Sequence, residues 1–233
     1  MASLTINESR KRLLDGFRRF HGQIYAKRSE EYRRAVRGGQ KPHTLFITCA
    51  DSRIDPELIT QSGPGEIFVA RNIGNLVPPY GEVSGSVSAI IEYAVAALKV
   101  SQVVVCGHSD CGAMIELLHP DKVNELPVVK SWLRNGDTAL TIVRSRHPAG
   151  NGNKPRRRAP ARRGGADADT RNALEELTEV NVLQQLHHLR THPSVAGRVA
   201  DGSLALSGWV YDIADGTVRL YSEEQQKFVG IDG

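Results

Sequence analysis

Three short runs of apolar and β-branched residues constrain the fold most: "TLFITCAD" (44–51), "EIFVARN" (66–72) and "QVVVCG" (102–107). Each has the length and composition of a strand and is bounded by turn signals. Between the second and third lies "SGSVSAIIEYAVAALK" (84–99), long enough to return the chain as a helix. Strands that alternate with helices build a parallel sheet, so an α/β fold is expected. The expectation is a mostly parallel central sheet of about five strands flanked by helices, the last strand antiparallel at an edge. "ELITQSGPG" allows a short helix and a turn, further helical residues are expected around 108–118 and 126–143, and "RNALEELTEVNVLQQLHHLRTH" (171–192) has a helical pattern. The segment 204–223 closes the chain as two strands around Asp215-Gly216, a strong hairpin signal.

Residues 8–37 carry Leu13, Leu14, Phe17, Phe20 and Ile24 at three- and four-residue spacing, which predicts a helix with one apolar stripe. "GGQKP" ends it. We therefore expect an N-terminal helical arm (1–37), packed on its own domain or on another subunit, and a single α/β domain (38–233). With 233 residues and 40% hydrophobic content, the chain can bury one large core. No run approaches the roughly 18 apolar residues of a membrane span, and the first twenty residues lack a secretory core, so a cytoplasmic protein with no membrane partner is expected. Three cysteines, Cys49, Cys106 and Cys111, are too few and odd in number for a disulfide framework. Reduced thiols kept for a metal or for nucleophilic chemistry fit better.

Charge is unevenly spread. Residues 144–171 hold nine Lys/Arg against two Asp, while the whole chain is only +4, so the remainder is mildly acidic. Rich in Arg, Pro and Gly and poor in apolar residues, this segment is expected to be a disordered, solvated insertion. It could engage an acidic protein partner, or nucleic acid by counterion release, although it lacks interleaved aromatics for the latter.

Functional groups in an open α/β sheet gather beyond the carboxyl ends of the strands. Cys49 lies at the end of the first run, and His108 and Cys111 follow the third. Two strand ends that converge would present Cys, His and Cys, a donor set that suits Zn²⁺. Three protein ligands leave a fourth position free for water or substrate, which is the catalytic pattern. In an extended "CADSR" (49–53), Cys49, Asp51 and Arg53 would share one side, placing a carboxylate and a guanidinium beside the metal. Cys106, inside the apolar strand, reads as a buried thiol.

Together, "CADSRIDPELI", "GEIFVARNIGNLVPPYG", "SAIIEYAVAALKV", "GHSDCGAM" and "VNVLQQLHHLRTHPSV" resemble the β-class carbonic anhydrases over roughly residues 35–145 and 172–213. Within that family the resemblance is strongest to bacterial cyanate-associated and cyanobacterial carboxysomal forms. It implies zinc, one per chain, on Cys49, His108 and Cys111, and reversible hydration of carbon dioxide to bicarbonate, a lyase activity. It also implies that Asp51 accepts a hydrogen bond from the metal-bound hydroxide while Arg53 keeps Asp51 off the metal. Gln40, Phe68 and Tyr93 match the plant-type substrate pocket, which implies the open subtype rather than the bicarbonate-inhibited one. The resemblance further implies obligate dimers or larger homo-oligomers, with the N-terminal helices embracing the neighbour and the pocket residues contributing across the interface. A carboxysomal location or partner would follow from the carboxysomal forms.

On the known three-histidine carbonic anhydrase site, zinc brings bound water to a pKa of about 7. Two thiolates donate more charge, so activity is expected to rise through mildly alkaline pH. His43 is a candidate for proton transfer. Two other readings compete: a CS₂ or COS hydrolase on the same fold, and a zinc-bearing assembly protein whose working part is the basic segment. Asp51, Arg53 and the pocket residues argue against the second.

Overall fold

The computed structural model describes residues 3–81, 85–120, 123–146 and 168–231. Among these, six strands form one sheet in the order β2-β1-β3-β4-β5-β6. They are β1 (Thr44–Cys49), β2 (Ile67–Asn72), β3 (Gln102–His108), β4 (Ala205–Tyr211), β5 (Val218–Ser222) and β6 (Lys227–Gly230). The first four run parallel, and β5 and β6 are antiparallel. The mostly parallel sheet with antiparallel pairing toward one edge is as expected, with six strands rather than about five: β5 runs against the others, and β6 pairs antiparallel to it at the edge. β6 has only four residues and follows the polar "EEQQ", so no alternation announces it. The hairpin lies where Asp215-Gly216 places it, with Gly216 at φ +69° and the loop closed by Asp212 N–H donating to the Thr217 carbonyl at 2.8 Å.

All six residues of β1 are buried, because it sits between β2 and β3 with both faces covered; such a strand is continuously apolar rather than alternating. On one face Leu45, Ile47, Val103 and Val105 pack against α4 (Ser86–Glu92), α8 (Ala168–Thr191) and α9 (Pro193–Ala200). The contact with α8 is close: a Cβ on Gly107 or Gly208 would stand 2.9 Å from a methyl of Val182. The other face carries Phe46, Val104 and Cys106, with Trp209 edge-on to Phe46. The short α3 (Pro56–Thr60) lies between β1 and β2.

Beyond the carboxyl ends, α5 (Gly112–Leu118), α6 (Pro127–Leu133) and α7 (Asp137–Arg146) build a further apolar cluster that takes in Cys49 and Cys111. The helix expected over 126–143 is divided at Arg134–Gly136, where a Cβ on Gly136 would meet Leu117 Cδ1 at 2.7 Å. α7 packs along α8, and Arg146 pairs with Glu176 at 2.9 Å. Most of the basic segment, residues 147–167, lies outside the described residues; Arg144–Arg146 end α7 and Arg171 lies in the first turn of α8.

The arm consists of α1 (Ile6–Arg19) and α2 (Ala26–Gly38) around a π-helical stretch, Phe20–Tyr25. A reciprocal cap between Thr5 and Glu8 starts α1. None of its residues is buried, and its apolar stripe faces outward, with Leu13 74% and Phe17 63% exposed. Among the described residues no helix is long and apolar enough to cross a membrane.

Candidate metal centre

β1 and β3 are adjacent and parallel, with Thr48 in register with Cys106, so their carboxyl ends bring Cys49 and His108 together. After β3 the chain turns at Ser109 and Asp110, the latter at φ +54°, and Cys111 occupies the position just before α5. Cys49, His108 and Cys111 are all buried, and their donor atoms lie within 4.8 Å of one another. The two sulfurs are 4.0 Å apart. Tetrahedral zinc with bonds of about 2.3 Å to each sulfur would need a separation close to that.

A second observation supports a metal. His108 Nδ1 donates to the Ser109 carbonyl at 2.8 Å, which leaves Nε2 as the bare acceptor nitrogen. That nitrogen is buried and has no hydrogen-bond partner. An orphaned buried acceptor beside two thiols is costly unless a cation takes its lone pair. The thiols behave as a unit. The Cys111 thiol donates to Cys49, and with help from the Gly74 N–H this pulls Cys49 down to about 4 against the effect of burial. Cys111 is pushed well up, first by that same bond and then by burial. Two thiols coupled this closely, beside a bare imidazole nitrogen, form a donor set into which a cation fits.

β1 stops at Cys49, so strand alternation is not what brings Asp51 and Arg53 to the site; the expected extended geometry is corrected to a tight turn, with Ile54 N–H donating to the Asp51 carbonyl at 3.0 Å. Within that turn Asp51 and Arg53 form a forked pair. Arg53 Nε donates to Oδ1 at 2.8 Å, Nη2 to Oδ2 at 2.6 Å, and the Arg53 backbone N–H to Oδ1 at 3.0 Å. The guanidinium holds the Asp51 carboxyl well below the usual carboxylate range. Arg53 Nη2 also donates to the Asp110 carbonyl at 3.1 Å, tying the loop after β1 to the loop after β3.

Several supporting residues were not singled out from sequence. Arg71 donates to the Cys49 and Asp51 carbonyls at 3.2 and 2.7 Å, and an arginine closing an apolar strand was the available signal. Gly74 donates its N–H to the Cys49 sulfur at 3.4 Å. It stands at φ +81°, with an added Cβ 2.9 Å from that of Ala113, so only glycine suits the position. From α8, Asn181 donates to the Gly74 carbonyl at 3.2 Å, and Gln185 accepts from Val77 N–H at 2.8 Å. His188 and His192, given no role from sequence, donate to the Val77 and Pro78 carbonyls at 2.7 and 3.0 Å and fasten the same loop. Cys106 is buried as expected, its thiol pushed up to about 12 by burial.

Gln40, Phe68 and Tyr93 lie elsewhere. Phe68 is in register with Leu45, four residues before Cys49, or about 13 Å along the strand at the usual rise. Tyr93 opens the π-helical stretch after α4 with its ring 6.0 Å from that of Phe68, and Gln40 is exposed between α2 and β1. One chain does not bring this group to its own Cys–His–Cys cluster. His43 is also at the amino end, against the Thr44 hydroxyl at 2.7 Å.

Comparison with known proteins agrees with this geometry. The family model described as carbonic anhydrase matches residues 44–218. The carbonic anhydrase of Synechococcus elongatus is 40% identical over 223 residues, 95% of this chain and 75% of that protein. That of Pseudomonas aeruginosa is 41% identical over 219 residues, 94% of this chain and 90% of the other. Among solved structures, the β-carbonic anhydrase CcaA superposes with a TM-score of 0.84 at 36% identity, covering 95% of this chain and 99% of its own. One of two tetrameric β-carbonic anhydrases from Sordaria macrospora superposes at 0.74 with 26% identity, covering 91% and 96%. A parallel sheet whose strand ends gather two cysteines and a histidine, together with these matches over nearly the whole length, shows that the chain belongs to the β-carbonic anhydrase family.

Proposed function

We propose that the chain hydrates carbon dioxide reversibly to bicarbonate and a proton, with one zinc ion held by Cys49, His108 and Cys111. The observation that carries the assignment of the ligands is the buried, unpartnered Nε2 of His108 facing two sulfurs 4.0 Å apart. Bound there, zinc supplies Lewis-acid activation of water at neutral pH. Asp51 stays ionised and can only accept hydrogen bonds, so it orients the attacking water by taking its O–H and leaves a lone pair for the carbon of CO₂. Arg53 holds Asp51 in place from three donors and keeps the carboxylate from swinging toward the sulfurs.

The approach for CO₂ is built between two copies of the chain. Gln40, Phe68 and Tyr93 of one copy line the way to the metal centre of the other, which accounts for their position at the far end of the sheet from their own cysteines. The exposed stripe of α1, with Leu13 and Phe17, is the surface that holds the copies together. This arrangement corresponds to the open subtype. The basic segment 144–171 offers its charge for docking to an acidic protein, a carboxysomal one included, in a second role that leaves catalysis untouched. A cytoplasmic location fits this chemistry.

Stopped-flow CO₂ hydration at pH 7 and 8.5, with zinc content determined on wild type and Cys49→Ala, tests the reading. One zinc per chain and activity in wild type, both lost in the variant with a rate drop of more than about a thousandfold, is the expected result. Zinc without hydration at either pH would overturn it and direct attention to CS₂ or COS.

A further inference from the structure

The Gly74 N–H that meets the Cys49 sulfur belongs to the peptide unit joining Ile73 to Gly74, and the opposite end of that unit is also engaged. Its carbonyl, on Ile73, accepts the indole Nε1–H of Trp132 at 2.8 Å. Indole, amide and sulfur therefore form one line of donors and acceptors: Trp132 Nε1–H to Ile73 O, then Gly74 N–H to Cys49 Sγ at 3.4 Å. An amide whose oxygen accepts a hydrogen bond is polarised and donates more strongly through its nitrogen. Trp132 reaches this peptide from α6, and its ring packs against both the main core and the cluster around Cys49 and Cys111.

The peptide needs such anchoring. Gly74 at φ +81° and Asn75 at φ +48° make two consecutive left-handed residues, a conformation the backbone does not favour by itself. The next peptide is held separately, by Asn181 on the Gly74 carbonyl, with Gln185 donating to Asn181 Oδ1 at 2.9 Å. Among the described residues, only the Trp132 bond acts on the carbonyl of the amide that faces the sulfur.

We propose that Trp132 is a positioning residue for the metal centre: its indole N–H orients and polarises the Ile73–Gly74 peptide so that the Gly74 N–H tempers the charge Cys49 gives to a bound metal. This rests on the reading of Cys49 as a metal ligand. Groups that hydrogen-bond to ligands from outside the coordination shell alter metal affinity by roughly ten- to a hundredfold, and an effect relayed through one peptide belongs at the lower end.

Two variants test it: Trp132→Phe, and replacement of Trp132 by 3-benzothienylalanine, which keeps the bicyclic shape and puts sulfur where the N–H was. Each full-length protein is loaded with Co²⁺, whose thiolate charge-transfer absorption reports sulfur donation, and zinc affinity is measured by competition with a chromophoric chelator. The expected result in both is a charge-transfer band at longer wavelength and zinc binding about tenfold weaker, with unchanged far-ultraviolet circular dichroism. If Trp132→Phe does not fold, the benzothienyl protein decides. An unmoved band and an affinity within about twofold of wild type in that protein would overturn the role of the N–H and leave Trp132 as packing. A thiolate band of undiminished intensity in Cys49→Ala would instead overturn Cys49 as a ligand, so the two failures are distinguishable.

Discussion

At the carboxyl end of the sheet, Cys49, His108 and Cys111 are no more than 5% exposed and are braced by Asp51, Arg53, Arg71 and Gly74, all from the same chain. At the amino end, Phe68 and Tyr93 lie 6.0 Å apart with Tyr93 half exposed, and in the arm that precedes β1 the stripe of α1 is left exposed among the described residues. One end is finished by folding. The other carries apolar and aromatic surface that a single chain leaves uncovered, which is the condition of a surface completed by assembly. On the function proposed above, the reaction centre would join a rigid metal end of one copy to a substrate end of another.

The largest effect expected from breaking the finished end without removing its ligands is that of Asp51→Asn. Zinc content should stay at wild-type level while the CO₂ hydration rate falls by about a hundredfold or more, because the amide presents an N–H where an obligate acceptor is required. Metal analysis and stopped-flow rates on the same preparation check both halves. Loss of the metal in this variant would place Asp51 in support of the ligands instead.

The comparison is sharpened by mixing. A chain with Cys49→Ala keeps its amino end, and a chain with Phe68→Ala keeps its metal end. If the pocket crosses copies, half of the randomly paired dimers contain one site with both ends intact, and co-refolding should restore about a quarter of wild-type activity. Mixtures no more active than the average of their two parents would return Phe68 to its own chain's site.

A smaller effect concerns acid. Glu8 is held below its ordinary range by the Thr5 hydroxyl and N–H, and Asp15 by Lys11 and then Arg18. Carboxyls lowered in this way contribute to α1 above their unfolded values and lose that contribution as pH falls through the lower folded ones. Backbone resonances of residues 6–19 should therefore shift toward coil as pH falls below the ordinary carboxylate range, before those of β1 and β3 do. Simultaneous change in both regions would mean that the arm gains little from these two contacts.

Much of this was legible in the chain itself. Alternating strands and helices dictated a parallel sheet, and the rule that chemistry collects at strand carboxyl ends was enough to join Cys49 to His108 and Cys111 across 59 residues. Asp51 and Arg53 were found for a reason the structure replaces, since their pairing comes from a turn rather than from strand alternation. Gly74 and Trp132 act through a backbone N–H and a backbone carbonyl, and such contacts leave no pattern of side-chain polarity; Arg71 left only its charge at the end of an apolar strand. Asn181 and Gln185 did leave one: two amides four apart on the helical face that also presents Val182 and Leu186 to the core, where polar side chains need a buried partner. β6 had too few residues for alternation to register.

The ion pair between Arg146 and Glu176, with α7 lying along α8, has a practical consequence. The two helices are fastened to each other by their own packing, so their alignment does not depend on the length of chain running from residue 147 to 167. Loop-closure entropy rises only by about 0.6 kcal/mol for each doubling of length, which makes this stretch tolerant of additions. It is the place to graft an affinity tag, to splice in a reporter domain, or to open new termini by circular permutation, at a distance in sequence from every residue assigned to the metal.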